Sequence, residues 1–136
     1  MNPFSSSPFW QQQALSIIRI ITGLFMAYHG LEIFDQAKIN EYAGWDSFKN
    51  LSYPLVIVYA GKGAEFIGGM LLAMGLITRI AAVLLAATML YVSLFVGHGK
   101  IWYEDQHPFL FVLLCMVFIF LGPGKWSLDH LLFKRK

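Results

Sequence analysis

Charge is what this chain has least of. Asp, Glu, Lys and Arg make up 13% of its 136 residues, while 57% are hydrophobic; a soluble domain carries roughly 25% charged residues. With a mean hydropathy of +0.59, this deficit argues against a soluble globular domain and for a small polytopic membrane protein. The length allows one domain. A net charge of +2, with basic residues scattered rather than striped, excludes a nucleic-acid partner. The single cysteine, Cys115, lies in an apolar run. It excludes an intrachain disulfide, a Cys-x-x-Cys redox pair and a thiolate zinc motif. A basic region at the N-terminus is also missing, because Arg19 is the first basic residue. The first apolar run ends in Glu32-Ile33-Phe34-Asp35 rather than at a small-residue cleavage site, so the first helix is expected to be retained. No nucleophile–base pair, phosphate loop or dinucleotide fingerprint is present.

What is there is four apolar runs, at about residues 14–34, 54–77, 79–97 and 108–122. The first three approach or exceed the ~20 residues that span hydrocarbon. The fourth is short and must borrow length from its flanks, tilt little or thin the bilayer. The expected fold is therefore all-α, an integral membrane four-helix bundle forming one domain over residues 1–136, with the lipid bilayer as its first partner. Between the first two runs, Gln36 to Ser52 is amphipathic, with Tyr42, Trp45 and Phe48 suited to an interfacial helix. The second and third runs meet at the tight turn Leu76-Ile77-Thr78-Arg79 and must be antiparallel neighbours. Arg79, Lys125, Lys134, Arg135 and Lys136 fall on one side, and only Lys38, Lys49 and Lys100 on the other. The basic side is expected to be cytoplasmic, with both termini inside a bacterial inner membrane.

The second run carries the expensive residue. Glu65 falls near its middle, with Lys62 about 4.5 Å further out at ~1.5 Å per residue. A carboxylate at that depth costs several kcal/mol unless paired, neutralised or turned to the protein interior. On the first run Arg19 and His29 lie roughly 7 Å to either side of the middle, and Arg19, Gly23, Met26 and Gly30 form one helical stripe. Glu65 shares a face with Gly61, Gly68 and Gly69. The two stripes are expected to face each other or a shared cavity. One reading is structural: Arg19 and Lys62 neutralise Glu65 and fix which helices pack, with Arg19 otherwise snorkelling to the interface. The other is functional: Arg19, His29, Lys62 and Glu65 line a polar pocket that binds a small ligand or relays protons.

A second group sits at the outer mouth, where His29 and Glu32 lie one turn apart, His98 ends the third run and His107-Pro108 begins the fourth. Imidazoles near carboxylates suit acid–base work. Glu104 and His107 have the Glu-x-x-His order of di-metal bundles, but in one copy and in a loop before a proline. No bound metal is expected; an uncoordinated polar rim is.

Several of these pieces occur in an order that resembles the DoxX family of small four-helix bacterial membrane proteins. They are Arg19, Gly23, His29 and Gly30; then Gly63-Ala64-Glu65-Phe66-Ile67-Gly68-Gly69; then Gly75-Leu76-Ile77-Thr78-Arg79; then His98; and last Gly122-Pro123-Gly124-Lys125-Trp126-Ser127-Leu128-Asp129. The resemblance spans about Ala14 to Leu131. It implies a four-helix membrane bundle. It also implies kinship with a subunit of a thiosulfate:quinone oxidoreductase and with membrane complexes of oxidative stress and detoxification. Where the family often has a glycine, an aromatic and a glutamate before the fourth helix, Trp102-Tyr103-Glu104 is here followed by an added Asp105-Gln106-His107-Pro108. The Gly122-Pro123-Gly124 turn reads physically as a helix stop, with Asp129 expected to clasp Arg79 on the same face.

The leading expectation is a membrane component of a redox or detoxification system that binds an apolar molecule such as a quinone. Candidate pocket residues are Arg19, His29, Glu32, Lys62, Glu65, Gly68, Gly69, His98 and His107; Arg79, Gly122, Pro123, Gly124, Trp126 and Asp129 form a structural motif. No cofactor motif is evident, so the chain is not expected to move electrons alone; it would need a redox partner protein or a bound cofactor. The alternative is a non-enzymatic membrane chaperone or assembly factor whose small-residue faces pack on client helices. Transport through Glu65 would require homo-oligomers, since four helices leave little room for a pore.

Overall fold

A computed structural model describes residues 4–133. Lys134, Arg135 and Lys136, part of the expected charge asymmetry, lie outside the described residues. Among the described residues, six α-helices account for the architecture. α1 (Gln11–Gly30) runs on through a 3-10 turn to Phe34, and α2 (Gln36–Ala43) is short. α3 (Pro54–Met74) and α4 (Thr78–Tyr91) follow, the latter continuing as a π-helical turn over Val92–Val96. α5 (Gln106–Leu121) and the short α6 (Leu128–Leu132) complete the chain. Gln11–Phe34, Pro54–Met74 and Thr78–Val96 are long and apolar enough to cross a membrane. With α5 they make an integral membrane four-helix bundle. Large apolar side chains such as Ile18, Phe25, Val56, Ile80 and Phe120 point outward, as lipid contact requires.

The helix ends follow local rules. Pro54 starts α3, where a missing N–H costs nothing. Asp35 caps α2 by accepting from the backbone N–H of Ala37 and Lys38. Gly75 ends α3 in the left-handed region, φ 69°. Its N–H reaches the Leu72 carbonyl and that of Leu76 the Leu71 carbonyl, a Schellman arrangement. The second span therefore stops at Met74, three residues earlier than its apolar run. α5 starts at Gln106, so His107 stands in a first helical turn rather than in a loop.

α1 packs chiefly on α3, α4 on α5, and α3 on α4, while α1 and α5 barely touch. The α1–α3 contact is backbone on backbone. A Cβ at Gly23 would strike the main chain of Ala73 and Gly69, and one at Gly69 the main chain of Ala27 and Gly23. Small residues let membrane helices gain dispersion contact where no hydrophobic driving force exists. Met26, Leu72, Leu85, Cys115 and Phe118 are fully buried at the centre. Ile39, Phe48 and Val58 form a smaller cluster that holds α2 and its trailing loop on α3. The start of α1, the short α6 and the α3–α4 turn share one end of the bundle, here the terminal end; the α1–α3 and α4–α5 connections share the other, the loop end.

Candidate functional site

The charged residues separate into two systems. At the terminal end, Arg19 is 0% exposed and donates to four backbone carbonyls. These are Ala73 (2.6 Å), Pro123 (2.8 Å), Leu72 and Trp126. Only a planar guanidinium fork can address so many fixed acceptors, and a cation at the C-terminus of α3 also complements the helix dipole. Arg19 therefore does not neutralise Glu65, and it lines neither cavity of the bundle. It ties α1, the end of α3 and the Gly122–Trp126 turn together. Ser16 helps by accepting from the Trp126 N–H at 3.0 Å, and Gly124 leaves no room for a Cβ against Ser16 and Gln12.

Asp129 departs from its expected partner too. Its carboxylate accepts from the backbone N–H of Ile77 (2.6 Å) and Thr78 (2.8 Å), and no Arg79–Asp129 ion pair occurs among the described residues. The carboxylate caps α4 across the chain, at a point where Ile77 adopts φ 43°. Caps win because the first N–H groups of α4 have no acceptor within their own helix. Through these bonds the Gly-Pro-Gly-Lys-Trp-Ser-Leu-Asp segment links α1, the end of α3 and the start of α4.

The second system lies towards the loop end and centres on Lys62. Its ammonium bonds Glu65 Oε2 and Glu32 Oε2, each at 2.9 Å, and sits 5.2 Å from the centre of the Tyr42 ring. Glu32 also takes Lys38 at 2.7 Å and the Tyr42 hydroxyl at 2.8 Å. Glu65 is 5% exposed. Burial and the bond to Glu32 push the Tyr42 phenol above its ordinary range, and Glu32 holds the Lys38 ammonium above its own. Glu32 therefore pairs with Lys62, not with its helix neighbour His29.

Two cavities meet at this cluster. A groove of about 550 Å³ lies between α3 and α4, roofed by Tyr42, Trp45 and Phe48 of the α1–α3 connection. Its floor is Ile57, Val58, Ala60, Gly61 and Ala64 from α3 with Ala87, Thr88, Tyr91, Val92 and Val96 from α4. Among the described residues, Lys62 and Glu65 are its only charged lining residues. A smaller cleft of about 180 Å³ lies on the other side of α3, lined by Met26, His29, Lys62, Glu65, Met89, Val92, His107, Pro108 and Phe111.

The sequence pattern of the DoxX family matches residues 14–99, which takes in α1, both cavity-lining faces of α3, and α4. The chain belongs to the DoxX family. A protein of Haemophilus influenzae described only as uncharacterised is 30% identical over 89% of this chain and 92% of its own. The Bacillus subtilis protein named "Putative oxidoreductase CatD" is 28% identical over 88% of this chain and 87% of its own. An uncharacterised membrane protein of Mycobacterium tuberculosis is 27% identical over 96% and 93%. No solved structure matches the chain.

In this DoxX protein, Lys62 and Glu65 line both cavities, and His29 and His107 face each other across the cleft, ring centres 6.0 Å apart. Glu32 reaches the cluster through Lys62. His98 does not join: it lies near Glu104, 3.4 Å away, while its backbone N–H and that of Lys100 bond buried Asp105. Gly68 packs against Leu85 of α4 and Gly69 against α1, and neither lines a cavity. Among the described residues no group of three or more His, Cys, Asp and Glu side chains is arranged to hold a metal. The sequence pointed to Gly61 through its place on the Glu65 face, and the structure gives the reason for glycine there: an added Cβ would meet nothing within 4 Å, because the groove lies in front of it. Tyr42, Trp45 and Thr88 had no such signal, since their place depends on how the α1–α3 connection folds back.

Proposed function

We propose that this protein binds a lipid-soluble ring compound with hydrogen-bonding oxygens, of the quinone type, in the groove between α3 and α4. It would do so as the membrane component of a redox or detoxification system. The observation that carries the reading is the groove itself: an apolar space of about 550 Å³ with one ammonium and one carboxylate. Ligand sites have this volume and this composition, apolar walls with a few polar groups that fix orientation. Tyr91 and Trp45 offer ring faces, Thr88 a hydroxyl, and Lys62 and Glu65 a donor and an acceptor for the ligand's oxygens. The printed name of the Bacillus subtilis relative points to redox chemistry. Electrons would pass to or from a partner subunit. The charge pattern of the loops favours a bacterial inner membrane with the terminal end in the cytoplasm.

The reading as an assembly factor needs an open glycine face for a client helix. Gly23, Gly30 and Gly69 are instead covered by the chain's own α1–α3 contact, which favours the ligand reading. Gly61→Leu provides the test, because a Cβ there meets nothing within 4 Å, the longer side chain extends into the groove, and a helix-interior glycine is removed. Protein in nanodiscs would be titrated with a short-chain ubiquinone and a short-chain menaquinone, following quenching of Trp45 with Trp45→Phe as the control. Quenching by one of them that is lost at least tenfold in Gly61→Leu, at an undiminished melting temperature, is the expected result. Binding of equal strength in Gly61→Leu would refute the groove.

A further inference from the structure

The small cleft differs from the groove in its position, on the α1 and α5 side of the Lys62–Glu65 pair. α5 has 16 residues, about 24 Å of helix, against roughly 30 Å of hydrocarbon. Its first turn meets α1 at the His29–His107 contact, not at the end of the α1 span at Phe34. The five residues beyond His29, four of them in the 3-10 turn, rise roughly 9 Å, and α5 starts only near the level of His29. α1 and α5 barely touch in any case. His29 and His107 are both exposed, so the surface reaches as far in as the two imidazoles.

Behind the imidazoles lies the cleft of about 180 Å³, whose deepest polar groups are Lys62 and Glu65. At about 30 Å³ per water it has room for on the order of five molecules. It also offers polar partners: neither the His29 nor the His107 imidazole hydrogen-bonds another described residue, and both are exposed. The walls are largely apolar, but a space of this size with four such polar side chains, His29, His107, Lys62 and Glu65, meets what a buried water needs. Towards the terminal end the same space is closed. Leu72, Leu85, Cys115 and Phe118 are each 0% exposed, α1 and α3 meet main chain to main chain, and Arg19 seals the last carbonyls.

We infer that the cleft between α1 and α5 is a water-filled half-channel. It connects the Lys62–Glu65 pair to the aqueous phase at the loop end and to no other. The groove meets the same pair from the α4 side. If a ligand occupies the groove, which rests on the function proposed above, a hydroxyl of that ligand gives its proton to the Glu65 carboxylate and is left as an oxyanion beside the Lys62 ammonium, which lines the same groove. The resulting acid passes the proton to cleft water and returns to carboxylate. The charged and titratable groups facing this route are Glu65, Lys62, Glu32, Lys38, Tyr42, His29 and His107, and all lie towards the loop end. Proton exchange at the ligand is then one-sided.

Thiol accessibility tests the half-channel without any ligand, so it stands or falls apart from the Gly61→Leu titration. In a Cys115→Ala background, Met89→Cys and Met26→Cys each place a thiol in the cleft wall, and Leu72→Cys places one in the closed half. Sealed vesicles of both orientations, sorted with Asp46→Cys at the loop end, are treated with a small membrane-impermeant methanethiosulfonate. Labelling of Met89→Cys at least tenfold faster from the loop end than from the terminal end, with Leu72→Cys inert, is expected. Met26→Cys repeats the measurement if Met89→Cys melts early. Equal labelling from both sides, or none from either in folded protein, overturns the inference.

Discussion

Replacing Arg19 by methionine separates a structural arginine from a ligand-binding one. Methionine keeps much of the buried aliphatic volume and removes every donor. Four carbonyls lose a charge-assisted bond: Leu72, Ala73, Pro123 and Trp126. The Leu72 carbonyl keeps the N–H of Gly75, which leaves three acceptors without the partner they had. An unsatisfied buried acceptor costs about 1–3 kcal/mol, less where water reaches it. All three lie near the membrane surface, so the lower half of that range applies, and the loss sums to roughly 3–5 kcal/mol. Arg19→Lys should fall between, because a point-like ammonium has three donors and no fork. The assay is reversible unfolding in mixed micelles by SDS titration, read by circular dichroism. Quinone quenching of Trp45 under native conditions is followed in parallel. The expected outcome is a large loss of stability, graded Met below Lys below wild type, with ligand affinity kept while the protein is folded. A loss under ~1 kcal/mol, or lost binding at full stability, would refute the separation of Arg19 from the Lys62–Glu65 site.

Two further outcomes follow from close contacts and from titration. Gly69→Leu drives a side chain into the main chain of Ala27 and Gly23 and should cost roughly 3 kcal/mol or more in the same unfolding assay, at the upper end of overpacking, whereas Gly61→Ala, facing open space, should be neutral or stabilising by up to about 1 kcal/mol. Tyr42, held protonated by burial and by Glu32, should stay un-ionised in ultraviolet titration when free tyrosine has ionised; its folded value is raised, so its contribution to stability is complete below about pH 10 and is lost as pH rises further, and Tyr42→Phe should flatten that alkaline loss.

Much of the bundle was readable as a sequence because lipid imposes one dominant rule, that apolar runs become helices. Three of the four spans are long apolar helices within a few residues of their runs, and Gly23 against Gly69 follows from two stripes with the same helical period. The loop after α1 showed its aromatic residues but not that Tyr42 reaches back to Lys62, because that contact depends on a chain reversal between Phe34 and Pro54. Arg19 misled for a physical reason. Sequence counts side-chain charges, and the only carboxylate at a comparable depth was Glu65. The partners that Arg19 actually takes are carbonyls at the end of α3 and in the Gly122–Trp126 turn, which belong to the main chain and have no letter in the sequence. Asp129 misled in the same way, since it caps backbone N–H groups instead of pairing with Arg79.

With Arg19 engaged elsewhere, the account of Glu65 changes. Its charge is balanced within the loop-end half, where Lys62 serves both Glu65 and Glu32, and Lys38 returns the second positive charge at the surface. A purely structural role for Glu65 would need one cation and an enclosed wall of apolar packing around the pair, since a buried ion pair repays its desolvation only with good geometry and further hydrogen bonds. The pair has the cation, but in place of the enclosing wall it has open space on both faces, a groove between α3 and α4 and a cleft between α1 and α5. A sequence selected only for stability would fill those spaces, as Gly69 and Gly23 show for the rest of α3. At Gly61, one turn from Glu65, glycine leaves a space that any larger side chain would occupy. Stability alone gives no reason to keep that space beside a buried carboxylate; access to the carboxylate does.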